Sequence, residues 1–63
     1  MRVYIWGTGT IAINYLQSNE IEREELLGFI QTQKTTSEFW GKKVFEPQDI
    51  IDTEYDYIFV CVY

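Results

Sequence analysis

The 63-residue chain contains no histidine and a single cysteine, Cys61. Without histidine it cannot assemble a Ser-His or Cys-His nucleophilic site, and it lacks the nitrogen ligands of the usual zinc sites. One cysteine excludes a disulfide within the chain, and we expect Cys61 to be a buried thiol in a protein of the reducing cytoplasm. The segment carries no recognisable catalytic or metal-binding residue, so we expect any catalytic part to lie elsewhere.

Long apolar runs and clusters of positive charge are also missing. No run approaches the roughly 20 residues of a membrane span, so we expect no membrane insertion. Five Lys and Arg against ten Asp and Glu give a net charge of −5. No basic stripe is present to neutralise phosphates, which argues against nucleic acid as a partner. The chain is nevertheless 46% hydrophobic, which favours a folded domain over disorder.

The strongest positive signal is an apolar strand that leads directly into a glycine-rich turn. Residues 2–6 read Arg-Val-Tyr-Ile-Trp, and residues 7–12, called here the glycine turn, read Gly-Thr-Gly-Thr-Ile-Ala. In this G-x-G-x-x-A pattern Gly7 permits the tight turn, Gly9 lets a ligand approach the backbone, and Ala12 lets helix and strand pack closely. The free N–H groups where the helix begins then form a site for an anion.

The hydrophobic pattern predicts alternating strands and helices. The predicted strands cover residues 3–6, 26–30, 43–45 and 57–63, with a helix over 10–18 and a short helix near residue 50 that begins at Pro47. Gly28, inside the second strand, is expected to let a neighbouring side chain or backbone come close. The polar residues 31–43 predict a surface loop anchored by Phe39 and Trp40, after which Gly41 turns the chain into the third strand.

These elements predict an α/β fold with a Rossmann-like parallel sheet, the first half of a doubly wound domain. Right-handed crossovers give the strand order 3-2-1-4. Ligands bind at the switch point of such sheets, where residues 7–11 should meet residues 61–63. A complete dinucleotide-binding domain is more than twice this long. We therefore expect residues 1–63 to be a single half-domain from a longer protein, with a self-associating short chain as the alternative.

The end of the second strand bears on the choice of ligand. In an NAD site, a carboxylate about 20 residues beyond the glycines accepts the ribose hydroxyls. Residues 30–34 read Ile-Gln-Thr-Gln-Lys and contain no acid. Gln31 or Gln33 could bond a ribose or sugar through a neutral amide, which binds about half as strongly as a charged group. Lys34 could favour a second phosphate, although a solvated surface lysine is the plainer interpretation.

The order of these motifs resembles a family of Rossmann-like N-terminal modules in bacterial enzymes of surface-polysaccharide biosynthesis. Those enzymes are sugar acyltransferases, relatives of nucleotide-sugar epimerases and dehydratases, and sugar methyltransferases. The motifs that carry the resemblance cover residues 3–9, 27–30, 41–47 and 55–60. The resemblance implies a nucleotide-sugar or dinucleotide ligand on residues 7–11. Family members often carry Asp directly after Gly-Phe-Ile, where this chain has Gln31.

Three functions stay open from the sequence. The chain is a nucleotide- or nucleotide-sugar-binding module of a polysaccharide enzyme, with phosphate held on the glycine turn. Alternatively it is the cofactor half of an NAD(P)-dependent sugar oxidoreductase or epimerase. In the third interpretation it is a structural or oligomerisation domain with a vestigial site, whose exposed last strand pairs with another chain.

The first two functions share one set of predicted binding residues. They are Gly7, Thr8, Gly9, Thr10, Ile11, Gln31 and Cys61. For the Thr8 and Thr10 hydroxyls, contact with phosphate and ordinary turn or helix N-cap chemistry are equally compatible with the sequence. The expected ligand is a nucleotide-containing small molecule, with NAD(P) and a nucleotide sugar both open. The expected macromolecular contact is a second copy or the rest of a longer chain.

Overall fold

A five-stranded sheet, parallel except at one edge, forms the centre of the fold. The computed structural model describes residues 1–19 and 21–61. The elements in chain order are β1 (Val3–Trp6), α1 (Thr10–Ser18), β2 (Leu26–Ile30), β3 (Glu38–Phe39), β4 (Lys42–Phe45), a 3₁₀ helix (Pro47–Asp49) and β5 (Tyr57–Val60). The α/β class with a mostly parallel sheet is confirmed. The predicted extension of the last strand over residues 62–63 lies outside the described residues.

The strands lie in the order β3-β4-β2-β1-β5, which differs from the predicted 3-2-1-4. The difference is a fifth strand, Glu38–Phe39, which pairs antiparallel with β4 in a segment predicted as loop. Two residues are too few to show the alternation of apolar and polar side chains that reveals a strand. The predicted order is therefore wrong at this edge. Beyond it, β4, β2, β1 and β5 follow one another in parallel pairs.

A two-residue turn joins β3 to β4. Its central residues, Trp40 and Gly41, have φ angles of 54° and 79°. Two successive positive φ values are typical of the type I′ turn, whose twist matches that of the flanking strands. The predicted turn at Gly41 is confirmed, whereas Trp40 takes a conformation that residues with a Cβ rarely adopt.

Different elements cover the two faces of the sheet. Val3 and Ile5 belong to a hydrophobic cluster with Ala12 of α1, whereas Tyr4, between them, belongs to a second cluster with Ile50. Successive side chains of a strand point to opposite faces. Both faces of β1 are therefore buried, which explains why its sequence is continuously apolar rather than alternating.

Helix α1, Thr10–Ser18, is amphipathic as the sequence predicts. Ala12 and Leu16 are buried in the cluster on its side of the sheet, and Ile11 and Tyr15 pack against that cluster with partial exposure. Within residues 1–19 and 21–61, no helix is long and apolar enough to cross a membrane.

Gly28 allows β2 and β4 to approach closely. A Cβ built at Gly28 would lie 2.6 Å from Cε2 of Phe45 and 2.7 Å from the carbonyl oxygen of Lys43. Contacts this short force the neighbouring atoms to move, so the position requires glycine. The expectation of a close approach is confirmed.

The next residue, Phe29, is fully buried, and a side chain of this size contributes about 1.5–3 kcal/mol to folding.

Candidate functional site

Gly7 begins the turn that follows β1. Its φ of 135° lies in the region that favours glycine, and this is the conformation that its predicted role requires. The buried Gly7 N–H donates to the carbonyl oxygen of Ile30 at 3.0 Å, so the start of the turn is tied to the carboxyl end of β2. The glycine turn therefore lies at the edge of the sheet where ligands of open α/β folds bind.

Gly9 is the N-cap of α1 and has extended backbone angles, φ −115° and ψ −164°. The interpretation of Thr10 as N-cap is wrong, because Thr10 is already the first helical residue. Among the residues that the structure describes, no side chain caps this helix end. The first intrahelical bond of this end runs from the N–H of Ile13 to the Gly9 carbonyl oxygen, at 3.2 Å. The N–H groups of Thr10, Ile11 and Ala12 precede it and have no intrahelical acceptor.

The surroundings of Gly9 are compatible with an anion. Apart from Gly9 itself and its two chain neighbours, a Cβ built at Gly9 would meet no atom of the described residues within 4 Å. The first turn of α1 carries no acidic residue, so no carboxylate of that turn competes for the positive end of the helix dipole. Ala12 is fully buried against the sheet, as expected for the small residue that lets helix and strand pack closely. Thr10 is exposed and Ile11 is half-buried.

Gln31 connects the end of β2 to the glycine turn. Its Nε2 donates to Oγ1 of Thr8 at 2.7 Å, and its Oε1 accepts from the N–H of Thr35 at 2.9 Å. The Gln31 backbone N–H donates to the Phe45 carbonyl oxygen at 2.9 Å, which extends the β2–β4 pairing by one residue. Thr8 and Gln31, both predicted site residues, are thus in direct contact. Thr35 carried no signal in the sequence.

Cys61 follows β5, and its N–H donates to the Trp6 carbonyl oxygen at 2.8 Å. The thiol is buried in the same hydrophobic cluster as Ala12, and this burial raises its pKa above the ordinary value. The end of β5 therefore lies on the α1 side of the sheet. The Cys61 thiol lies inside the core. The predicted contribution of residues 62–63 lies outside the described residues.

A separate open cleft of about 360 Å³ lies beside β4. It is lined by Lys34, Ser37, Lys43, Val44, Phe45 and Asp49. Among the polar members, only Lys34 stands out in the sequence, through its position after β2. The Asp49 carboxylate accepts from the Glu46 N–H at 2.9 Å, and the Glu46 carboxylate accepts from the Lys34 N–H at the same distance. The acidic side chains here are thus held by backbone donors.

The described residues hold no group of three or more His, Cys, Asp or Glu side chains that could bind a metal ion. The groups gathered at the glycine turn are backbone N–H donors, the Thr8 hydroxyl and the Gln31 amide. This set can bind an anion or a hydroxyl-bearing ligand. It contains no general base and no nucleophile with a lowered pKa.

Fold and site define a small α/β domain with an open glycine turn at the carboxyl edge of its sheet. The chain belongs to the family described as C2185-like, N-terminal, whose family model matches residues 1–63. No curated protein and no solved structure matches the chain significantly.

Proposed function

We propose that this domain binds a nucleotide or nucleotide sugar through its phosphates on the glycine turn. In this proposal it is a Rossmann-like half-domain and the ligand-binding module of a cytoplasmic bacterial enzyme of surface-polysaccharide biosynthesis. The observation that carries the proposal is the set of free backbone N–H groups at the N-terminus of α1. Three successive N–H groups, those of Thr10, Ile11 and Ala12, lack intrahelical acceptors beside the open space at Gly9.

The electrostatic balance favours a ligand with more than one contact. An anion at a helix N-terminus gains about 0.3–1 kcal/mol at an exposed site, which is too little to hold inorganic phosphate tightly. The net charge of −5 opposes every anion. A diphosphate can span several N–H groups, and an attached nucleoside adds apolar contact. We expect affinity to fall as salt concentration rises, because an exposed site is screened.

Titration of the ¹⁵N-labelled chain by NMR tests the proposal directly. UDP should shift the amide resonances of residues 8–12 in a saturable manner, and inorganic pyrophosphate should shift them more weakly. NAD⁺ is the probe for the alternative, the cofactor half of an NAD(P)-dependent sugar oxidoreductase. If neither UDP nor NAD⁺ shifts these resonances at millimolar concentration, the proposed binding site is wrong.

The variant Gly9→Asp should abolish binding, because it places a carboxylate where the phosphate would lie. The open space around Gly9 leaves room for this side chain without a clash within the described chain. Gln17→Asp is the matched control: it adds the same charge at an exposed position near the other end of α1. Gln17→Asp should bind UDP like the wild type. Equal affinity in all three proteins would remove the glycine turn from the mechanism.

The edge strand β5 supports a second candidate function, self-association. The N–H groups of Tyr57 and Cys61 donate to β1, so alternation directs the amides of Ile58 and Val60 away from β1. In the described sheet β5 is an edge strand, and Val60 is 67% exposed. An edge without charge, proline or bulge can pair with another strand. If two copies paired antiparallel about Phe59, Ile58 of each would lie opposite Val60 of the other.

Sedimentation equilibrium tests this second candidate. Val60→Lys places a charge on the exposed edge and should dissociate a dimer. Ile51→Lys is the matched control, because Ile51 is 74% exposed and lies outside the strands. We expect a specific dimer to form at protein concentrations below about 100 µM. A wild-type chain that stays monomeric at that concentration contradicts this candidate.

A further inference from the structure

We infer that Gln31 is a specificity-determining residue that favours a phosphate oxygen over a ribose diol at the end of β2. The inference rests on the proposed nucleotide binding at the glycine turn and narrows it to one ligand class. That class is the nucleoside diphosphates, including nucleotide sugars, in preference to NAD. The basis is the direction of each hydrogen bond that Gln31 makes.

A backbone donor fixes the orientation of the Gln31 amide. The N–H of Thr35 points to Oε1 at 2.9 Å, and an N–H can only donate, so this atom must be the oxygen. Exchanging the oxygen and nitrogen would set two donors against each other. Nε2 therefore faces Thr8 and donates to its Oγ1 at 2.7 Å.

The accepting capacity of Gln31 is used within the protein. A carboxamide oxygen has two acceptor positions, and Oε1 receives both the N–H of Thr35 and its hydroxyl, the latter at 3.3 Å. Nε2 keeps one N–H beyond the bond to Thr8. The Thr8 hydroxyl accepts from Nε2, so its own hydrogen is left to donate.

The pair Thr8–Gln31 therefore offers donors, one O–H and one N–H, and no acceptor on Gln31. The carboxylate of an NAD site does the reverse, because it accepts from the two ribose hydroxyls. Phosphate oxygens accept and do not donate at neutral pH. The arrangement thus matches a phosphate and leaves the ribose diol of NAD without its usual acceptor.

The test compares UDP and NAD⁺ affinities of the wild type with those of Gln31→Glu. A glutamate would accept from the Thr8 hydroxyl, remove that donor and repel phosphate. We expect UDP affinity to fall by about tenfold or more, and the ratio of NAD⁺ to UDP affinity to rise. Gln17→Glu is the matched control, since it adds the same charge at an exposed residue near the other end of α1. It should change UDP affinity less than about threefold.

Two Thr8 variants separate the hydroxyl from the shape of the side chain. Thr8→Val keeps the shape, loses the donor and should weaken UDP by about tenfold. Thr8→Ser keeps the hydroxyl and should retain most of the affinity. The Gln31 side-chain amide resonances give a readout that needs no ligand: they should shift in Thr8→Val and stay near their wild-type positions in Thr8→Ser.

Each outcome decides between the two levels of the proposal. If the wild type binds neither UDP nor NAD⁺, the proposed function fails and the selection fails with it. If the wild type binds UDP but Gln31→Glu keeps the wild-type ratio of affinities, the selection alone is overturned. If the Gln31 side-chain amide resonances do not shift in Thr8→Val, the assigned hydrogen bond from Gln31 to Thr8 is wrong, whether or not a ligand binds.

Discussion

The Arg23 guanidinium donates to the carbonyl oxygen of Trp40 at 3.4 Å and to that of Gly41 at 3.3 Å. An exposed arginine before β2 is thereby attached to the turn between β3 and β4. These are long hydrogen bonds at the surface, so each adds little stability on its own. Their effect is to link the edge hairpin to the start of β2.

Trp40 occupies a turn position where asparagine or glycine is favoured, so Trp40→Asn should stabilise the protein. A residue with a Cβ at positive φ costs about 1–2 kcal/mol, and asparagine relieves part of this cost. Trp40 is 43% exposed, so loss of the ring removes limited packing. Urea denaturation should give an increase of about 0.5–1 kcal/mol in the free energy of unfolding. Trp40→Ala, which removes the ring and keeps the strain, should show no such increase.

Gly28→Ala should destabilise the protein by about 1–3 kcal/mol, because its methyl group would overlap backbone and ring atoms of β4. Gly9→Ala is the control, since the same methyl group has no described atom beyond its chain neighbours within 4 Å there. It should lose less than about 1 kcal/mol, the usual difference between glycine and alanine at an N-cap. Equal midpoints of urea denaturation for the two variants would contradict the close β2–β4 approach.

Tyr4→Phe should lower the free energy of unfolding by about 0.5–1.5 kcal/mol. The Thr53 hydroxyl donates to the Ile50 carbonyl oxygen at 2.7 Å, so the Tyr4 hydroxyl, 3.1 Å from Thr53 Oγ1, is the donor of that bond. Tyr4 is 3% exposed and Tyr57 is 56% exposed. Tyr57→Phe should therefore leave thermal unfolding unchanged. A Tyr4→Phe protein as stable as Tyr57→Phe would show that this partly buried hydrogen bond contributes nothing.

Cys61 should make stability depend on pH in the alkaline range. Its pKa is raised by burial in the folded state, so the unfolded chain loses the thiol proton first. The contribution is fully present below the ordinary thiol pKa of about 8.5, and it declines as pH rises through the folded pKa. Cys61→Ala should flatten this decline relative to the wild type, measured by urea denaturation from pH 7 to about pH 10. Parallel curves would exclude a thiol contribution.

The parallel part of the sheet could be predicted because its strands are buried on both faces and are continuously apolar. Gly28 and the turn at Gly41 could also be anticipated, since glycine inside a strand indicates close approach and glycine between strands indicates a turn. Strand β3 could not be predicted, because its two residues pair through the backbone alone. The turn that follows it contains Trp40, a residue type that rarely occupies turns. The sequence alone does not distinguish Thr10 from Gly9 as the N-cap of α1, because threonine and glycine are about equally favoured at that position.

The sequence predicts which segments form the candidate site, but not the hydrogen bonds within it. The pattern of residues 7–12 indicates a glycine turn. Gln31 directly follows the second strand, at the position expected to lie beside that turn. The direction of the Gln31 amide depends on Thr35, four residues further on in an irregular loop. No periodic pattern in the sequence specifies that contact.

The position of β1 between β2 and β5 has a consequence for the order in which the chain folds. Its pairing with β2 can form once the first half has been synthesised, whereas pairing with β5 joins opposite ends of the described chain. Contacts between such distant segments form slowly. During translation, the edge of β1 that pairs with β5 therefore keeps its backbone groups unpaired until Tyr57–Val60 has left the ribosome.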